Sequence, residues 1–201
     1  MMKAEDNLVD TWLKESVKRE MFFRVGAWSI FTVLVFYISF KDPTFTLKNY
    51  AFPFIHKELD KLNFVWAFLL YPILLAFFFK DIKHAKPDKW DGGTLLSKTG
   101  MIVRKITCEL LLWVSGISVS LFLIFLTSLP VLLISEPNTS PKDYILALFS
   151  IACIGLLTYI SLKIYYLLRR DKPFIYNRVT SHTKIKFIYA MMFVASLVFL
   201  G

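Results

Sequence analysis

Hydrophobic positions in this chain come in long blocks, with neither the alternation of a strand nor the single stripe of a surface helix. The longest block is Ile106 to Ser135, which holds one charge, Glu109. From Leu110 onward, a helix of that length spans roughly 39 Å, against a bilayer hydrocarbon core of about 30 Å. This predicts a transmembrane helix that tilts or bends. Comparable blocks run from Met21 to Phe40, from Leu62 to Phe79, from Tyr144 to Leu168 with Lys163 inside it, and from Phe187 to Gly201. Pro72 and Pro130 each interrupt a block and predict a bend. The last block reaches only about 22 Å as a helix, so it either crosses a thinned bilayer or stops partway. The expected fold is all-α: a polytopic helical membrane bundle over residues 21–201, with four spans and a fifth.

The polar segments set the arrangement. Residues 1–20 carry no cleavable signal sequence and place Leu8, Val9, Trp12, Leu13 and Val17 on one helical side, predicting an amphipathic run-in helix. The segment 41–61 is rich in rings, including Phe45, Tyr50, Phe52 and Phe54, and is expected to fold onto the membrane or the bundle ends. Lys80 to Lys105 reads as a loop with a turn at Trp90-Asp91-Gly92-Gly93, although Leu95 to Lys105 can already be helical. Glu136 to Pro141 is a tight connection. Segments 1–24, 80–105 and 163–186 hold 5, 7 and 7 of the 24 Lys and Arg residues, while 41–61 holds 4 and only Lys142 lies in the next connection. Basic residues collect in cytoplasmic segments, so the N-terminus is placed inside.

Composition agrees with this reading. The chain is 56% hydrophobic, and its charged fraction of 19% is below the roughly 25% of soluble proteins. A formal charge of +9 in a soluble protein would point to nucleic acid. In a membrane protein it follows from topology, and direct nucleic-acid binding is not expected. Cys108 and Cys153 sit at different depths in apolar blocks, which predicts two buried free thiols rather than a disulfide.

Candidate chemistry is sparse. Glu109 is the one acid inside an apolar block and a possible intramembrane ion site. Its position near the inner edge, one turn from Lys105, also suits a local ion pair. Lys163 suits a snorkelling role. Ser115, Gly116, Ser118 and Ser120 form a small-residue face, with Gly155 a second thin surface, and both predict close helix packing within or between protomers. Gly116-Ile117-Ser118 resembles part of the rhomboid protease nucleophile motif, but Val119 replaces its second glycine. His56, His84 and His182 all fall in predicted loops, so no span supplies a base. No metal-ligand spacing and no phosphate-binding glycine loop occurs, so no cofactor and no enzymatic activity is expected. Arg169, Arg170, Lys172 and Arg178 make the last inner loop a candidate surface for anionic lipid or a cytosolic protein.

In length, number of spans and basic inner loops, the chain resembles the KwaA membrane subunits of the Kiwa bacterial anti-phage system. The resemblance is one of architecture, and no residue role is carried over from it. It implies a homo-oligomeric inner-membrane sensor that recruits a cytosolic DNA-binding effector during phage attack. The alternatives from other classes are a small ion channel or permease using Glu109 and the serine face, and a colicin-immunity-like protein that recognises toxin helices in the membrane.

Overall fold

The computed structural model describes residues 17–39, 62–85, 94–135, 141–170, 172–176, 178–179 and 181–200. Among these the secondary structure is helical throughout, in five helices: α1 (Val17–Ser39), α2 (Leu62–Ala85), α3 (Leu95–Ser135), α4 (Pro141–Arg169) and α5 (His182–Leu200). The amphipathic segment before Val17, the aromatic segment 41–61, the turn at Trp90 and the connection 136–140 lie outside the described residues. Three stretches, Val17–Ile38, Leu95–Thr127 and Ala147–Arg169, are long and apolar enough to cross a membrane. They mark a helical membrane protein.

The surface supports the same conclusion. No residue in the apolar part of α1 is buried, and Phe22 and Ile38 are 83% and 79% exposed. At about 25 cal/mol per Å² of apolar surface, a helix with this face in water would be strongly penalised. In lipid the penalty vanishes, and the helix form satisfies every backbone group internally.

All five helices run further than the hydrophobic blocks, α1 by the four residues from Val17 to Glu20. α2 continues through Lys80 and Asp81 to Ala85, residues that the sequence pattern assigns to a loop. Burial of Lys80 and Asp81, with specific partners for both, stabilises this extension. α3 begins at Leu95. α4 begins at Pro141 rather than Tyr144. Proline suits a first helical position because its fixed φ is preorganised and its missing N–H would have had no partner there. α5 begins at His182, five residues before the apolar block. It therefore reaches about 28 Å instead of 22 Å.

The chain divides into two compact units. One contains α2, α3 up to Leu110, α4 from Ile164, and α5. Here α2 and α5 pack through rings: Tyr71 stacks on Phe193 at 6.1 Å, and Phe78 meets Tyr189 edge-on at 5.4 Å. Thr107 ties α3 to α2, its hydroxyl lying 3.1 Å from the Pro72 carbonyl oxygen and 2.8 Å from that of Val103.

The other unit contains α1 from Arg19, α3 from Leu111, and α4 up to Lys163. Gly116 is its point of closest approach. A Cβ there would collide with the Cβ of Trp28 and lie 3.3 Å from the Val25 carbonyl oxygen. Ser29 donates to the Gly116 carbonyl at 3.0 Å, and Ser120 donates to the Ser29 carbonyl at 2.8 Å. Trp28 and Trp113 pack edge-on beside the crossing, 6.1 Å apart. Farther along, Phe122, Ile124 and Phe125 of α3 pack with Ile151 and Ile154 of α4, and Phe122 covers Gly155.

The two cysteines are free, as the depth argument predicts, but only Cys108 is buried. Cys153 is exposed on α4, correcting the expectation of two buried thiols. A hydrophobic block fixes that a residue lies within the apolar slab, and leaves open whether it faces protein or lipid.

The crossing at Gly116 has a direct test. Gly116→Ala should destabilise the protein by about 1–3 kcal/mol through overpacking against a Cβ and backbone. Gly26→Ala, where an added Cβ meets nothing within 4 Å, should be neutral or stabilising by up to about 1 kcal/mol. Thermal unfolding in detergent distinguishes the two, and equal effects would remove Gly116 as the contact that sets this crossing.

Candidate functional site

The C-terminus of α4 presents the standard problem of a helix end, in which the last carbonyls have no intrahelical donor. Leu168 and Arg169 are buried, so water is a poor substitute. The Arg170 amide donates to the Tyr166 carbonyl at 3.1 Å. The Lys80 ammonium, from α2, donates to the Leu167 carbonyl. The Arg104 guanidinium, from α3, donates through Nε to the Leu168 carbonyl at 2.6 Å and through a terminal nitrogen to the Arg170 carbonyl at 3.3 Å. Both side chains are cations placed at the negative end of the helix dipole, where a partly buried charge contributes up to about 2 kcal/mol.

Asp81 completes the cluster. It is 0% exposed, and its two oxygens accept three hydrogen bonds. The amide of Phe174 donates to Oδ1 at 2.6 Å, that of Ile175 to Oδ2 at 3.0 Å, and the Tyr189 hydroxyl to Oδ2 at 2.7 Å. One carboxylate thus joins α2, the chain after α4, and α5. The Phe174 ring packs on Phe77 with centroids 4.6 Å apart. The amides of Arg178 and Val179 both donate to the Ile175 carbonyl, at 2.8 and 3.1 Å, closing the turn before α5.

What the cluster displays is a basic surface. Arg170 lies over the Tyr166 ring at 5.0 Å, and Arg170, Lys172 and Arg178 are exposed. Arg169 differs, being 1% exposed. It cannot meet an outside partner without rearrangement, so the surface expected from the sequence retains three of its four residues. Glu109 is half-buried on α3, and Lys163 is exposed on α4.

Ser115, Gly116, Ser118 and Ser120 are all buried within this one chain, and Gly155 is half-buried. The Gly116 and Ser120 contacts run to α1, and Gly155 packs against α3, so these residues serve helix packing inside the protomer. Asp81, Lys80, Arg104 and Tyr189 escape a reading based on spans. The available signal was an acid two residues past a span end, in a segment otherwise dominated by bases. Nothing in the sequence pairs it with residues 93, 94 and 108 positions away.

Asp81→Ala should cost about 3–5 kcal/mol by leaving two amides and a hydroxyl without their charged acceptor. Tyr189→Phe removes one hydrogen bond to a charged group and should cost about 1.5–3 kcal/mol. Both are measured by thermal unfolding, with limited proteolysis between Arg170 and Ser181 as a second readout. If Asp81→Ala leaves melting and cleavage unchanged, the carboxylate does not hold the turn.

No protein-family model, no curated protein and no solved structure matches the chain.

Proposed function

We propose that this protein is a non-enzymatic, multi-span subunit of a bacterial inner membrane, with a cytoplasmic N-terminus, that anchors a cytosolic effector protein. The observation that carries this reading is the basic turn after α4. Its backbone is held by a fully buried carboxylate, while Arg170, Lys172 and Arg178 stand exposed. A surface that is already ordered loses less conformational entropy on binding, and its charge suits an acidic partner. The four or five spans rest on the hydrophobic blocks, and the inside placement of the basic segments rests on the count of Lys and Arg. The resemblance in architecture to the Kiwa membrane subunits supplies the context, recruitment of an effector in anti-phage defence.

Charge reversal by R170E/K172E/R178E should abolish recovery of a stoichiometric cytosolic protein with the purified subunit. Because these side chains are exposed, melting temperature should change little, and the four bases left in segment 163–186 keep its excess over Lys142 and so the orientation. Full recovery with the triple variant would reject this turn as the docking site.

Homo-oligomer formation belongs to the same reading, and the faces left open by the protomer are its candidates. On α4 that face includes Cys153, Leu156, Tyr159 and Ile160. Oxidative crosslinking in native membranes should give a disulfide-linked dimer that Cys153→Ser removes, while buried Cys108 contributes none. No dimer, or a dimer that survives Cys153→Ser, would place any oligomer contact elsewhere.

A further inference from the structure

Beyond the basic turn, α5 opens with a shallow groove that the docking reading does not use. It has a volume of about 420 Å³ and is lined by Val179, Thr183, Lys184, Phe187 and Ile188. Residues 183 and 187 are one helical turn apart, as are 184 and 188, so the groove follows one face of the helix start, with Val179 contributed by the chain just before it. The opposite face, with Ile185 and Tyr189, is buried in the chain. Apart from the Lys184 ammonium and the Thr183 hydroxyl, the lining is apolar.

The surroundings show a clear order along the helix. Lys184 lines the groove, and Arg178, next to Val179 in the chain, and Lys186 are exposed as well. Past Phe187 the exposed positions are all apolar, the most open large side chains being Met191, Val194, Leu197 and Val198. From Lys172 to Gly201 the sequence contains no acidic residue. A cationic rim therefore leads into an apolar track, while Asp81, which meets this helix at Tyr189, is buried on its opposite face. That sequence of properties complements a phosphate headgroup followed by an acyl chain. A headgroup carrying its own ammonium would be opposed by the rim, whereas an anionic one is attracted at about 1 kcal/mol for each basic residue near the surface. A soluble acidic protein would match the rim but would gain nothing from an apolar track running down a membrane helix.

We propose that the α5 groove is a binding site for a single anionic phospholipid, with Arg178 and Lys184 on its phosphate and Phe187 and Ile188 against its acyl chain. The inference rests on α5 lying in the bilayer, as the proposed function has it.

Native mass spectrometry of the full chain in nonionic detergent tests this, with phosphatidylglycerol and phosphatidylcholine of identical acyl chains in equal amounts. The wild type should retain one phosphatidylglycerol per chain in preference to phosphatidylcholine, by about fivefold for each rim charge. R178Q/K184Q should bind the two lipids alike, whereas K98Q, at an exposed site on α3, should behave as wild type. F187S should weaken both lipids and leave the preference intact. Equal retention by the wild type, or a preference that survives R178Q/K184Q, would overturn the site. Displacement by inorganic phosphate alone, or no effect of F187S, would show that a surface phosphate contact had been mistaken for a lipid site. K184Q alone should reduce the lipid preference and spare recovery of the cytosolic protein. R170E/K172E should do the reverse, so the two readings fail separately.

Discussion

The buried end of α4 is the constraint around which one half of this protein is arranged. A helix that ends away from water leaves several carbonyls to be satisfied, each costing several kcal/mol in an apolar setting. Water cannot do this where Leu168 and Arg169 are covered, so donors must come from other helices. Lys80 and Arg104 are long enough to reach, and being cationic they also oppose the partial negative charge of the helix end. Their burial introduces positive charge that itself needs compensation. Asp81, a buried carboxylate within the same unit, is occupied by donors from the turn and from α5.

The second unit is held by a different kind of contact. At the α1–α3 crossing no charge is involved, and the helices approach because position 116 lacks a side chain. Lipid tails compete equally for apolar surface, so helix association in a bilayer depends on close van der Waals packing and on hydrogen bonds that lipid cannot provide. Gly116 gives the first, and the reciprocal bonds of Ser29 and Ser120 give the second. The same chain therefore uses ionic capping at a helix terminus and small-residue packing mid-helix, each suited to its site.

Much of this architecture was legible in the hydrophobic pattern, because length and lack of charge nearly determine a transmembrane helix. All five blocks are helices, and the close-packing role of Gly116 and Ser120 follows from their spacing. Two features were not legible. Helix ends moved outward at α2 and α5, since polar residues beside a span read as loop until their partners are known. Burial was the other. Cys153 and Arg169 each occupy a position whose sequence neighbourhood says nothing about which side of the helix is covered.

The buried bases also change how the charge of this protein should be understood. Counting Lys and Arg treats every basic residue as a unit of loop charge, which is the right quantity for orientation during insertion. Lys80, Arg104 and Arg169 are nevertheless buried in the folded chain, and the first two are committed to carbonyls of α4 and the residue that follows it. The charge offered to lipids or proteins is smaller than the count, and among the described residues after α4 it is carried by Arg170, Lys172, Arg178, Lys184 and Lys186, which are exposed. Screening by salt acts on these exposed charges far more than on the buried ones. Ionic strength should therefore modulate what binds at the turn while leaving the clamp beneath it in place, which separates the recognition surface from the structure that supports it.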